Sequence, residues 1–343
     1  MNKSENLPIR PYARLLTMLG EQLIKNERIA LIELIKNSYD ADAEWVKVSF
    51  VNFGENYKIQ KNSKIIIEDN GFGMTEEIVK KHWLNPATPE KKKRKEKKAT
   101  TPKGRIIQGE KGIGRFAILK LGRKIDIVTR TLDTEYEFVI SYDFSKYDDD
   151  FLTEDGKEKE LFLEDLLVAV ESRNPERIVK SNMFLGTRKR NRDTQGTIIE
   201  ISNLKGSWSE KKVEMVYKDL TKLESIFTPK GHSEFEVFIY KDDKITGLKE
   251  DYREKLELLL TDRSVIKVEN GYFDAERMEY VFTIFDKGKK KKEKISLLDP
   301  TITGLNVFKR RFDNAGAVLE NRKLECGSFE FGFYVFDLVW MPH

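Results

Sequence analysis

Short apolar runs, each broken by dense charge, set the rhythm of this chain and predict helices alternating with strands. Residues 10–24 carry apolar side chains at helical spacing and predict an amphipathic helix. Asn26 suits the N-cap of a second helix over 27–40. Trp45 to Val51 alternates apolar and polar positions as a strand does, and Ile65-Ile66-Ile67 reads as a short buried strand stopped by Asp69-Asn70-Gly71. Residues 75–84 predict a helix, after which Pro86, Pro89 and Pro102 bracket a polar segment that packs no core. A helix over 114–121 and strands over 124–130 and 136–142 follow. An acidic loop at 148–160, a helix over 160–171, a β-branched strand at 196–201 and a helix over 209–226 complete the first part. Pro229-Lys230-Gly231 breaks the chain and marks the expected domain boundary, and strands at 234–240, 280–286 and 328–338 predict a strand-rich second domain.

Length and composition narrow the class. At 343 residues the chain suggests two domains, and 39% hydrophobic with 35% charged residues describes a globular protein with a charged surface. No apolar run approaches the ~20 residues that span a bilayer. A single cysteine, Cys326, makes an internal disulfide impossible, so the reducing cytoplasm is the expected compartment. The net charge of +4 conceals a local run: residues 90–98 hold seven basic and two acidic side chains. A second lysine knot spans 287–294. Either is a solvated loop tip or a contact for phosphate backbones, and neither interleaves aromatics for base stacking.

Three short stretches carry the chemistry. On the second helix Glu33, Asn37 and Asp40 fall at i, i+4 and i+7 and share a face, with Ala41 close to it. Polar groups beside so many apolar ones need partners, unless the face is simply solvated. Asp69 ends a buried strand, and Gly71 and Gly73 let the backbone turn before Met74. That carboxylate is placed to accept from an amine, although Asp-Asn-Gly also suits an ordinary turn. Gly109, Gly112 and Gly114 then precede a helix, exposing backbone N–H groups that can cradle an anion. Neither a P-loop nor a Rossmann pattern occurs.

In this order the three stretches resemble the nucleotide site of the GHKL ATPases: gyrase B subunits, heat-shock-90 chaperones, MutL proteins and histidine kinases. The resemblance covers residues 10–205. It implies an α+β fold, a two-layer sandwich of Bergerat type with a mixed sheet and helices on one face. Within that implied site Glu33 activates water, Asn37 ligates Mg²⁺, and Asp69 reads the adenine amine with Gly71, Gly73 and Met74 against the base. Asp40 and Ala41 line the same pocket, Thr197 supports Asp69, and Gly109, Lys111, Gly112, Ile113, Gly114, Arg115 and Phe116 hold phosphate. Lys91 or Lys111 meets the β- or γ-phosphate, beneath a lid over about 85–108.

The context Asn37-Ser38-Tyr39-Asp40-Ala41-Asp42-Ala43 resembles the gyrase, MutL, MORC and heat-shock-90 side more than the kinases. The expected organisation is an ATP-binding domain over 1–230 and a transducer-like domain over 231–343, belonging to a longer protein. The expected function is Mg-dependent ATP hydrolysis that drives homodimerisation, with residues 1–25 crossing to the partner, in a DNA-linked or phage-defence process. A nucleotide sensor without turnover, a chaperone-like ATPase, and a nucleic-acid binder working through the lysine runs stay open as alternatives.

Overall fold

The computed structural model describes residues 8–16, 18, 24–85, 100–108, 117–147, 153–154, 157–158, 160–221, 223, 235–286, 289–305 and 327–336. The chain divides into two compact units, Met1–Glu250 and Asp251–His343.

The first unit is built on an eight-stranded mixed sheet. Its strands are β1 (Trp45–Val51), β2 (Lys64–Asp69), β3 (Gly122–Arg130), β4 (Glu137–Asp143), β7 (Ala169–Arg173), β10 (Gly196–Leu204), β11 (Glu236–Lys241) and β12 (Lys244–Ile245). They lie in the order β12-β11-β1-β2-β10-β3-β4-β7, with β1 and β11 parallel. Two hairpins stand outside it, β5 (Thr153–Glu154) with β6 (Lys157–Glu158), and β8 (Ser181–Leu185) with β9 (Arg188–Arg192). Helix α1 (Glu27–Asp40) packs on α2 (Ala117–Leu121) and α3 (Glu210–Leu220).

Two helices begin for a readable reason. The Asn26 side chain accepts from Ile29 N at 3.1 Å, and Ser209 Oγ accepts from Lys212 N at 3.2 Å, so both N-caps satisfy a donor the helix cannot. Cross-strand register fixes the core. Ile239, Val48, Ile67, Ile199, Ile127 and Ile140 sit opposite one another across six strands, all nearly solvent-free. The next row along reads Val237, Val46, Asp69, Thr197, Thr129 and Phe138, so three polar residues enter a row that is otherwise apolar.

Side chains of opposite parity point to the other face of the sheet. There residues 174–195, including the β8–β9 hairpin, form a strap. Leu185 and Met183 pack on Trp45, Phe238 and Tyr240, and Ile178 packs on Val128 and Ile198. Buried Glu137 anchors the start of the strap, accepting from Arg177 N at 3.1 Å, Ile178 N at 3.0 Å and Arg173 Nε at 2.9 Å. Glu236 anchors its hairpin through Arg188, Arg190 and Lys249.

The N-terminal residues pack within their own chain. Ala13 N donates to Leu161 O at 2.8 Å, Leu163 N donates to Pro11 O at 2.9 Å, and the Tyr12 and Phe162 rings stack at 4.7 Å. This pairing, with β7 joining the edge of β4, replaces the helix expected over 160–171 by a single turn at Leu163–Asp165 and a strand.

The first unit reaches beyond the boundary expected at 230, because β11 completes the sheet against β1. The second unit holds a sheet of β13 (Ser264–Asp274), β14 (Glu279–Asp286), β15 (Lys289–Ser296) and β16 (Phe329–Phe336), ordered β15-β14-β13-β16. Helix α4 (Leu248–Arg263) leads into it and the short α5 (Pro300–Thr303) follows β15. From Lys289 onward the second lysine run lies on an edge strand, where lysines discourage pairing with another chain.

Candidate nucleotide site

Asp69 is the centre of the arrangement. It ends β2, is 5% exposed, and turns its carboxylate toward α1. Ser38 Oγ donates to Asp69 Oδ2 at 2.8 Å, and Gly71 N donates to Oδ1 at 2.9 Å. Burial pushes the Asp69 carboxyl above its usual range, opposed by these two donors and by the charge of Arg192. Ser38, Gly71 N and the Thr197 backbone thus act on the carboxylate, which when ionised keeps a lone pair for one more donor and when protonated gains an O–H donor of its own.

The glycines beside it are required by space. A Cβ on Gly71 would lie 2.8 Å from Ala41 O, which is also the acceptor for Phe72 N at 2.9 Å. Gly73 has φ +70°, and a Cβ there would fall 2.1 Å from Arg130 O. These contacts clamp the turn between the end of α1 and the end of β3. Met74 N then donates to Thr129 Oγ1 at 2.8 Å. Asn70 Oδ1 accepts from Glu44 N at 2.8 Å and Trp45 N at 3.2 Å, tying the turn to the start of β1.

Thr197 lies opposite Asp69 in the ladder. Its hydroxyl meets Thr129 Oγ1 at 3.2 Å, whereas the hydroxyl on the carboxylate is that of Ser38. Ser38 is not on the helical face that Glu33, Asn37 and Asp40 share in the sequence. Helix α1 buries Ala30, Leu31, Ile32, Leu34, Ile35 and Ser38, so its inner face lies one residue round from that assigned to Glu33 and Asn37.

Glu33, Asn37 and Asp40 follow along the half-buried flank of α1, with Glu33 and Asp40 about 10 Å apart at 1.5 Å per residue. Glu33 Oε1 accepts from Lys36 Nζ at 2.9 Å, and both side chains are about 30% exposed. Asp40 Oδ1 accepts from Gln108 N at 2.7 Å. The stretch 100–108, the far end of the expected lid, is fastened to the same corner. Buried Asp42 accepts from Thr101 Oγ1 and Lys103 N, and Arg105 Nη1 donates to Ala43 O at 2.7 Å. Its guanidinium also sits 5.0 Å from the Tyr39 ring centroid.

Lys91 and the loop Gly109, Lys111, Gly112, Ile113, Gly114, Arg115 and Phe116 lie outside the described residues. Helix α2 begins directly after that loop and packs on α1. Ser38, Thr129 and Arg192 are the contributors that sequence reading missed. Only Ser38, inside the first motif, carried a local signal. Among the described residues no cluster of three His, Cys, Asp or Glu is placed to hold a metal, and no helix is long and apolar enough to cross a membrane.

A mixed sheet backed by helices, with a buried carboxylate closing β2 at a glycine corner against α1, matches the fold of the GHKL-type ATPases. Residues 25–166 match the family model described as histidine kinase-, DNA gyrase B- and HSP90-like ATPase. A stretch of 125 residues is 28% identical to a protein of Herpetosiphon aurantiacus named "Putative type II restriction enzyme HgiDII". The match covers 36% of this chain and 18% of that relative's length.

Proposed function

We propose that this chain binds ATP with Mg²⁺ and hydrolyses it slowly, as an ATP-driven dimerisation switch in a larger protein with a DNA-linked or phage-defence role. The observation that carries the reading is the Asp69 corner. A buried carboxylate is held by Ser38 and Gly71 while a free lone pair awaits a donor, and the exocyclic amine of adenine supplies one. Gly73, kept without a side chain by Arg130 O, leaves backbone for the face of the base, with Met74 as an adaptable apolar contact.

The residues present fit a magnesium nucleotide. Magnesium keeps several waters and bridges phosphates, so one amide oxygen from Asn37 suffices where the described residues form no cage. When bound, the ion neutralises charge on the phosphates. Glu33 lies one helical turn before Asn37 and orients a water as general base. For that its carboxylate must leave Lys36, a weak, partly exposed pair worth about 0–1 kcal/mol. The Gly109–Gly114 loop and a lid over 85–108 close over the phosphates, with Lys91 or Lys111 reaching them. The second unit serves as transducer, and the relative named as a restriction enzyme supports the DNA-linked context.

The Glu33–Lys36 pair also supports a second reading, a nucleotide sensor that binds without turnover. Phosphate release from Mg-ATP by the intact chain and by Glu33→Ala, over a range of protein concentrations, separates the two. An ATPase switch gives activity that rises with concentration and is lost in the variant. Binding without release in both identifies the sensor, and absence of binding overturns both readings.

A further inference from the structure

One buried cation stands behind the site, outside every role proposed above for nucleotide or magnesium. Arg192, 3% exposed, is the last residue of β9 and reaches the end of β2 from the strap, on the face opposite α1. Its Nη1 pairs with Glu68 Oε1, and its Nη2 donates to Asp69 O at 3.1 Å. The guanidinium also stands 5.8 Å from the Trp45 ring centroid. A Cβ on Gly196 would lie 2.2 Å from the same Asp69 carbonyl, so no side chain of β10 can occupy that approach.

We propose that Arg192 is a positioning residue for base selection, fixing the main chain of Asp69 from behind so that its carboxylate meets a 6-amino purine and not a 6-oxo purine. The inference rests on the adenine reading given above. A carboxylate accepts equally well from the amine of adenine or from the N1–H and 2-amino group of guanine, so residue type alone selects neither. Position selects. Ser38 from α1 and Gly71 N from the turn hold the two carboxylate oxygens, but both act on the side chain. Besides its ladder partners Val46 and Thr197, the peptide carrying that side chain is held by Arg192, with Glu68 as the second grip of the guanidinium. A planar fork can serve two acceptors at once, which a lysine cannot do with the same geometry.

The test measures Mg-ADP and Mg-GDP binding to the intact chain by calorimetry, for wild type, Arg192→Lys, Arg192→Met and Glu236→Gln. Glu236→Gln loosens the strap at its hairpin without touching β2. The expected result is a preference for ADP that shrinks about tenfold in Arg192→Met, less in Arg192→Lys, and not at all in Glu236→Gln, whatever each does to Tm. Arg192→Met with a lowered Tm and an unchanged ADP-to-GDP ratio makes Arg192 merely structural and overturns the proposal. Wild type that binds both equally overturns it too, while leaving a nucleotide site. Wild type that binds neither removes the adenine reading itself.

Discussion

Replacing Ser38 with alanine isolates the hydroxyl that steadies Asp69. Ser38 is 4% exposed, so no water takes the place of its 2.8 Å hydrogen bond. A hydrogen bond to an ionised group contributes about 1.5–3 kcal/mol. Alanine is the better helix former by about 0.5 kcal/mol, which leaves a net loss of about 1–2.5 kcal/mol. For a unit of this size that lowers Tm by roughly 2–10 °C. The loss should also depend on pH. Because burial raises the folded-state pKa of Asp69, the native form keeps a proton that the unfolded chain has released. Stability from this group is therefore complete below the unfolded value and is lost as pH rises through the folded one. Without Ser38 the ionised form loses a donor, so the deficit of Ser38→Ala grows with pH. Urea denaturation at about pH 5 and about pH 8, in wild-type and Asp69→Asn backgrounds, reads this directly. In the neutral Asn background, with the same helix gain subtracted, the substitution should cost only about 0–1 kcal/mol at either pH. Equal losses in both backgrounds and at both pH values would refute the coupling.

Two further outcomes follow from the geometry. Gly73→Ala places a methyl against Arg130 O in a left-handed conformation, so it should abolish ADP binding by calorimetry and lower Tm. Glu137 is buried, which alone would raise its pKa, but the Ile178 N–H, the Arg173 guanidinium and the Arg177 N–H together hold it below the usual carboxylate range. Its contribution is present above the unfolded pKa and lost as pH falls through the folded one. Glu137→Gln should accordingly cost about 1.5–3 kcal/mol at neutral pH and flatten the acid limb of a stability–pH curve.

The parts of the site legible in the sequence were those defined by local spacing. Asp69 followed three isoleucines and preceded a glycine turn, and Asn26 announced α1, so both were found where the structure has them. Ser38 was misdirected because helical spacing shows which residues share a face but not which face the sheet will cover. Arg192 left no trace for a different reason. The strand Arg188-Lys189-Arg190-Asn191-Arg192 has no apolar member, and its inward arginines are identified only by the distant acids Glu236 and Glu68 that receive them. The helix expected over 160–171 failed because its backbone donors are used by partners far away in sequence, Pro11 and β4. The polar row of Asp69, Thr197 and Thr129 was likewise invisible until the register was known.

The parallel pairing of β11 with β1 bears on how this molecule can be divided. A fragment cut at the Pro229–Gly231 break would keep every residue of the Asp69 corner yet lack the strand that covers Trp45 to Phe50. It would expose a row of unsatisfied amides and carbonyls directly behind Val46, the neighbour of Asp69. Such a piece invites association with other copies through that bare edge, and its apparent oligomeric state would then report the cut. A preparation meant to reveal nucleotide-driven pairing should retain the chain through Glu250.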